Sequence, residues 1–203
     1  MPNRLDQARH LLALAQTGLH YSRDPFDAER YREIAAIAHA QIAALAEGDA
    51  QDVARLFMPE VGYANPKLDV RCAVFDEAGR VLLVREAAEG LWSLPGGWAD
   101  VGATPAENAA REVREESGYT VRIGRLLALW DMRQHRHPAS PFHIWKLVFE
   151  GEIVAAGAPT DGETDQVGFF DLDALPPLSV ARILPEQLRR LGQLHRDGGM
   201  EFD

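Results

Sequence analysis

The sequence is poor in features that would assign it to several common classes. Its one cysteine, Cys72, excludes an internal disulfide and a zinc site built from several cysteines. No run of about 18 uncharged apolar residues occurs, so no membrane-spanning helix is expected. Lysine is present only at Lys67 and Lys146, and the net charge is −10. Because nucleic-acid affinity depends on clustered Lys and Arg, this balance argues against a nucleic-acid-binding protein.

The composition is that of a soluble globular protein. Hydrophobic residues make up 46% and charged residues 26% of the 203 residues, enough for one ordinary domain and a small appendage. The first stretch, MPNRLDQARHLLALAQTG, contains Asp6 and Arg9 and is typical of an amphipathic helix rather than a signal peptide. Because Cys72 is the only cysteine, a cytoplasmic location is expected as the default. The acidic balance still permits a small phosphorylated substrate held through a metal ion.

Helical periodicity dominates the first part of the chain. Apolar residues recur at helical spacing over residues 4–17, and Gly18 is expected to end this helix. A second helix is predicted between Pro25 and Gly48, and a third, short one over residues 50–57. We expect the apolar stripes to pack on the rest of the chain or on another subunit.

Strand patterns replace the helical ones from Leu68 onwards. The runs LDVRCAVF and RVLLVRE, joined by DEAG, predict a β-hairpin. Further strands are predicted over residues 119–131, 143–152 and 166–170, and a last helix over 184–196. The predicted organisation is a helical N-terminal domain, residues 1–65, followed by a mixed α/β domain, residues 66–203.

One helix in the second domain has strong boundary signals. Thr104 is a good N-cap, Pro105 suits the first helical position, and Glu107 stands where a capping-box partner is needed. Gly118 fits the position that follows the last turn. The sequence therefore predicts a helix between Thr104 and Gly118.

Three glutamates lie on one face of that helix. Glu115 and Glu116 are adjacent and follow Glu112 by three and four residues. At roughly 100° per residue, the three side chains cover about a quarter of the helix circumference. Like charges this close repel unless a cation neutralises them, and Mg²⁺ or Mn²⁺ prefers oxygen ligands. The alternative is an exposed charged helix in which Arg111 and Arg114 pair with the acids.

The surrounding motif, LPGGWADVGATPAENAAREVREESGY, resembles the Nudix hydrolase family. Its box reads G-x5-E-x7-R-E-U-x-E-E-x-G-U, where U is a bulky apolar residue. This sequence departs at two positions: Ala103 replaces the first glutamate, which in the family supports the helix or its arginine, and Tyr119 replaces the last apolar residue. The matching positions are Gly97, Arg111, Glu112, Val113, Glu115, Glu116 and Gly118.

The resemblance implies a fold and a reaction. The expected fold is an α/β/α sandwich on a mixed sheet, and the expected substrate is a nucleoside diphosphate linked to a moiety X. The three glutamates would hold Mg²⁺ or Mn²⁺, and Arg111 would orient them through salt bridges. The general base varies within the family. Our candidate is Glu163, with Asp161 and Asp165 as local competitors.

The resemblance extends to a Nudix subgroup with its own N-terminal helical domain. It is carried by ALAQTGLHYSRDPFDAERY, GYANPKLDVRCAVF and LPGGWADVG. This subgroup includes CDP-choline and ADP-ribose pyrophosphatases, and it implies a homodimer formed through the N-terminal helices. ADP-ribose enzymes often have a proline downstream of the box, where this chain has Gln134 and His135, with Pro138 slightly beyond. That difference favours CDP-choline.

Other residues are predicted to contact the substrate. Gly96 and Gly97 allow a polyphosphate to approach the backbone closely. Within WDMRQHRHPASPFHIWK, a base could stack on Phe142, and His143 could contact phosphate. The three histidines of this segment leave a zinc site as an alternative, as does a solvated loop. The set of predicted substrate-binding residues is Gly96, Gly97, Trp98, Arg71, Phe142 and His143.

The sequence leaves two functions of other classes open. A non-catalytic Nudix module that senses a nucleotide metabolite is favoured by Ala103, which replaces a box glutamate. An RNA-trimming nuclease could use the same metal chemistry, although the net charge disfavours it.

Overall fold

The computed structural model of the chain describes residues 3–45, 51, 54–55, 62–160 and 162–203. The third helix predicted in the N-terminal part lies largely outside these residues, as does Gly48. The chain divides into two compact units, Met1–Pro66 with Ala139–His143, and Lys67–Pro138 with Ile144–Asp203. The domain boundary between residues 65 and 66 stays a prediction. None of the described helices is both long and apolar enough to cross a membrane.

The first unit is built on two helices, α1 (Arg4–Tyr21) and α2 (Pro25–Leu45). Asn3 caps α1, its side chain accepting a hydrogen bond from the N–H of Asp6 at 2.8 Å. The prediction that α1 ends at Gly18 is wrong, because the helix continues to Tyr21. Gly18 is used for packing instead: a Cβ there would lie 2.4 Å from the ring of Tyr31. The buried core of the pair is Ala8, Leu12, Ala38, Ile42 and Ala43.

The second unit contains eight described strands in two sheets. The five-stranded sheet has the order β4-β1-β6-β5-β8 and the three-stranded sheet the order β3-β2-β7. Strand β1 is parallel to β6 but antiparallel to β4, so the larger sheet is mixed. The strands are β1 (Lys67–Val74), β2 (Val81–Glu86), β3 (Trp92–Ser93), β4 (Gly96–Trp98), β5 (Thr120–Asp131), β6 (Ile144–Ala155), β7 (Thr164–Phe170) and β8 (Glu201–Phe202).

Two helices of this unit cover the sheets, α3 (Pro105–Ser117) and α4 (Pro185–Asp197). Successive side chains of β1 point to opposite faces. Cys72 belongs to a core with Val113 of α3, whereas Ala73 belongs to a core with Leu188 of α4. A mixed sheet with helices is the architecture that the sequence predicted, and the prediction is confirmed.

The predicted hairpin between β1 and β2 is wrong in its pairing. The turn itself forms, since the N–H of Gly79 donates to the carbonyl of Asp76 at 2.9 Å. The two strands then enter different sheets, and a single bridge joins Phe75 to Val81. Strand β1 pairs instead with β4 and β6. Both strands lie between two partners in their sheets and are buried along most of their length, as is typical of strands covered on both faces.

Candidate active site

Helix α3 carries the three glutamates, and the residues at its two ends fix where it begins and ends. Thr104 and Glu107 form the capping box, with the Thr104 hydroxyl accepting from the N–H of Glu107 at 3.2 Å. Gly118 adopts the left-handed conformation at φ 77° and ends the helix. Ala109 and Val113 are buried against the sheet, which turns the glutamate face toward the adjoining cavity.

A cavity of about 460 Å³ lies beside this face. Six carboxylates and four cationic side chains line it, so its wall carries more negative than positive charge. An anionic substrate therefore needs additional positive charge to bind there. The charged lining residues are Asp69, Glu86, Glu112, Glu115, Glu116 and Glu163 together with Arg71, Arg111, Lys146 and Arg182.

Glu116 is the most buried of the three glutamates. Its Oε2 atom accepts a hydrogen bond from the backbone N–H of Gly96 at 2.9 Å. Burial raises the pKa of Glu116 to about 8, because the opposing effects of Arg71 and the Gly96 N–H do not offset the loss of solvation. A carboxylate in this environment gains strongly from a bound cation.

Arg111 joins the other two glutamates. Its Nη2 atom lies 2.9 Å from Oε1 of Glu112, and its Nη1 atom donates to Oε2 of Glu115 at 3.1 Å. Burial raises the pKa of Glu112, even though Arg111 acts in the opposite direction. Gly97 lies close against this carboxylate, since a Cβ there would lie 3.3 Å from Oε2 of Glu112.

The donor set suits a hard divalent cation that is only partly bound by protein. Among the described residues, no three His, Cys, Asp or Glu side chains already converge as a complete metal site. Mg²⁺ does not require such convergence, because it usually keeps several waters and binds one or two carboxylates together with substrate phosphates. The carboxylates of Glu116 and Glu112, which both line the cavity, fit that mode of binding.

Sequence reasoning missed a buried charge cluster in the cavity wall. Asp69 accepts from Nε of Arg71 at 2.8 Å and also from Nζ of Lys146, which is only 1% exposed. Burial lowers the pKa of Lys146, and the nearby charge of Asp69 only partly opposes this. Despite burial, Arg71 and Lys146 hold the pKa of Asp69 below its ordinary value. The sequence did contain a signal for this cluster, because Asp69, Arg71 and Lys146 are charged residues within otherwise apolar strands.

A second missed group lies at the end of β2. Glu86 is buried, and its Oε1 atom lies 3.3 Å from Nε of Arg182. Arg182 is fixed further by Glu89, at 2.9 Å, and by the hydroxyl of Ser179, at 3.0 Å. The structure thus places an oriented guanidinium and a third buried carboxylate, beside those of Asp69 and Glu116, in the same cavity.

Most of the predicted site residues meet at this cavity. Arg71, Gly96, Gly97, Trp98 and Glu163 all line it. Arg71 is also engaged in the fold, because its Nη1 atom donates to the carbonyl of Leu94 at 2.9 Å.

Other predicted residues lie elsewhere. Phe142 and His143 belong to Ala139–His143, the segment that groups with the helical unit, and they are not among the cavity's lining residues. Their role in substrate binding stays a prediction. Asp165 makes two hydrogen bonds to Arg85, at 2.8 and 2.7 Å, and Asp161 lies outside the described residues.

The predicted zinc alternative gains no support from the histidines that were proposed for it. His135 lies 3.2 Å from Asp203, and Nδ1 of His137 lies 2.8 Å from the carbonyl of Val180. The rings of His135 and His137 thus each have a protein partner.

Comparison with protein families matches both parts of the chain. A model described as the NUDIX domain matches residues 65–191. A second model, described as a UDP-X-like N-terminal oligomerisation domain, matches residues 2–57.

Individual relatives agree with these matches. A Bacillus subtilis protein provisionally named an ADP-ribose pyrophosphatase is 43% identical, over 98% of this chain and 96% of its own length. The crystal structure of a UDP-X diphosphatase is 31% identical with a TM-score of 0.65, covering 98% of this chain and 97% of that one. An ADP-ribose pyrophosphatase from Streptococcus suis is 38% identical with a TM-score of 0.62, covering 68% of this chain and all of that one.

Proposed function

The chain belongs to the Nudix family, and on that premise we propose that the cavity beside α3 hydrolyses the diphosphate of an X-linked nucleoside diphosphate. Water attacks one phosphorus, the bridging P–O bond breaks, and a nucleoside monophosphate and a phosphorylated X leave. The observation that carries the proposal is the position of Glu112, Glu115 and Glu116 in one cavity with Arg71, Lys146 and Arg182. Carboxylates for a cation and cationic side chains for an anion are both needed for this reaction.

We assign metal binding to Glu112, Glu115 and Glu116, with Mg²⁺ or Mn²⁺ as the ion. When bound, the ion supplies positive charge to the diphosphate oxygens and lowers the pKa of the attacking water. The desolvated carboxylates of Glu112 and Glu116 support this assignment, because burial raises their pKa values even though Arg71 and Arg111 act in the opposite direction. Arg111 orients Glu112 and Glu115 through the contacts described above.

Glu163 is the proposed general base. It lines the cavity and is exposed, so it can take a proton from water and return it to solvent. Glu86 is its competitor within the lining, but Glu86 is buried, whereas the exposed Glu163 can exchange its proton with solvent.

For the identity of X we place ADP-ribose ahead of CDP-choline, the substrate that the downstream residues Gln134 and His135 favoured. The relatives named as ADP-ribose pyrophosphatases support this order.

A homodimer through the helical unit is the proposed assembly. Leu14 of α1 is 53% exposed and Ile37 of α2 is 57% exposed, so the helix pair presents apolar surface. The match of residues 2–57 to an oligomerisation domain supports this assembly. A cytoplasmic location is part of the same proposal and rests on the sequence features described above.

A substrate panel tests the reaction. Phosphate release is measured with a coupled phosphatase, in Mg²⁺ or Mn²⁺, for ADP-ribose, CDP-choline, a sugar nucleotide, a diadenosine polyphosphate and a capped RNA. The proposal expects hydrolysis of ADP-ribose or CDP-choline and none in EDTA. Binding of one compound without turnover of any would favour the non-catalytic module that Ala103 suggested, and turnover of the RNA alone would favour the nuclease.

A further inference from the structure

The Nudix box of this chain has no carboxylate at Ala103, yet Arg111 still has a carboxylate partner outside the glutamate group. Asp100, three residues before Ala103, places its Oδ2 atom 2.7 Å from Nη2 of Arg111. The partner therefore comes from the loop before the helix rather than from the expected box position.

Asn108 links that loop to the arginine. Its side chain is fully buried, and its Oδ1 atom accepts from the N–H of Asp100 and from Nη2 of Arg111, both at 3.1 Å. Its Nδ2 atom donates to the carbonyls of Asp100, Ala103 and Thr104, at 3.3, 3.4 and 3.2 Å. One amide thus uses both its donor and its acceptor to fix the loop and the guanidinium together.

This arrangement bears on metal binding because Arg111 also contacts Glu112 and Glu115. A cation that binds those carboxylates competes with the guanidinium for their oxygens. Arg111 can release them at little cost only if other acceptors continue to hold it. Asp100 and Asn108 are such acceptors, and neither lines the cavity.

Resting on the function proposed above, we propose that Asp100 and Asn108 are the positioning residues of Arg111, and that they replace the carboxylate which Ala103 lacks. Asn108 contributes more than Asp100. The Asp100 side chain is 68% exposed, where an ion pair is screened by solvent, whereas the Asn108 amide is buried.

Mn²⁺ binding by the free protein, measured by water-proton relaxation, tests the proposal without any substrate. We expect Asp100→Ala to raise the Mn²⁺ dissociation constant about fivefold and Asn108→Ala by more than tenfold. Ala103→Glu introduced into the Asp100→Ala protein is expected to bring the constant back to within about twofold of wild type. The matched control is Asp27→Ala, since Asp27 is also an exposed aspartate, 2.7 Å from an arginine, but belongs to the helical unit.

Each outcome decides the question. Unchanged Mn²⁺ affinity in folded Asp100→Ala and Asn108→Ala proteins would overturn the proposal, as would an equal loss in Asp27→Ala. If Asn108→Ala does not fold, the Asp100→Ala protein and its rescue by Ala103→Glu decide alone. A wild-type protein that binds Mn²⁺ but hydrolyses nothing would contradict the proposed function, while the Mn²⁺ comparison would still judge Asp100 and Asn108.

Discussion

The backbone N–H of Gly96 donates to Oε2 of Glu116 at 2.9 Å and so ties strand β4 to the glutamate helix. Gly96 has φ 143°, and a Cβ there would lie 2.1 Å from the carbonyl oxygen of Val70. The position therefore accepts only glycine. The strand that shapes the cavity and the carboxylate proposed to bind the cation depend on each other.

Replacement of Gly96 by alanine is expected to damage both stability and the site. The clash is with backbone and cannot be relieved by rotating a side chain, so we expect a loss of about 3 kcal/mol or more. The control is Gly79→Ala, where φ is also positive, at 77°, but nothing lies within 4 Å of the added Cβ. That change is expected to cost about 1–2 kcal/mol. Urea unfolding measures both, and equal losses would contradict the packing account.

The raised pKa of Glu116 predicts a pH dependence of stability. Between its ordinary value of 4.5 and the folded value of about 8, the folded state holds a proton that the unfolded state has lost. Stability in EDTA should therefore be highest below about pH 4.5 as far as this group is concerned, and should fall as pH rises towards 8. Mg²⁺ binds the ionised form, so its stabilising effect should grow over the same range.

Thermal melting from pH 5 to 9, with EDTA or Mg²⁺, checks this dependence. Glu116→Gln cannot ionise but can still accept from the Gly96 N–H, so the variant should show a flatter profile in EDTA. A wild-type profile as flat as that of the variant would show that Glu116 ionises normally.

Glu163→Gln is expected to lower kcat about 100-fold through loss of the general base. With Mg²⁺ saturating, so that the glutamates of α3 stay ionised, the acidic limb of the pH profile of kcat/KM should disappear with it, because that limb then reports the ionisation of the base. Glu86→Gln should keep the limb, since Glu86 is buried and is not the proposed base. If instead Glu86→Gln removes the limb and Glu163→Gln keeps it, the base is Glu86.

Ile37→Glu is expected to convert a dimer into a monomer. Ile37 is exposed on α2, and a charge at an apolar interface prevents its burial. Val154→Glu is the matched control, because Val154 is equally exposed, at 57%, but lies on β6 in the other unit. Light scattering after size-exclusion chromatography should show the smaller mass only for Ile37→Glu. A monomeric wild type, or a dimer that survives Ile37→Glu, would argue against this interface.

The sequence predicted best those elements whose signals are local. Helix α3 begins at a capping box and ends at a left-handed glycine, and these motifs lie within a few residues of the ends they fix. The prediction that α1 ends at Gly18 was wrong because Gly18 serves the contact with Tyr31 of another helix. A glycine in the sequence does not distinguish such a contact from a helix end. Strand pairing failed for the same reason, since β1 pairs with a strand far along the chain.

For the cavity, too, the sequence predicted the local features and missed the long-range contacts. The three glutamates were found because helical spacing places them together, whereas the partner of Asp69 is Lys146, 77 residues away. Asp100 was missed because the box motif has its carboxylate at position 103. Only the structure shows that the loop brings Asp100 to Arg111. Long-range contacts of charged side chains were the part that sequence patterns could not supply.

The most direct test of the account is Mg²⁺-dependent hydrolysis of ADP-ribose by wild type and by Glu116→Gln, measured as kcat/KM at pH 8. Loss of a carboxylate that holds the cation removes several kcal/mol of transition-state stabilisation, about a thousandfold in rate. We predict that loss in a variant whose melting temperature in EDTA is no lower than that of wild type. Near-wild-type turnover by Glu116→Gln would contradict the assignment of the α3 glutamates as the metal site.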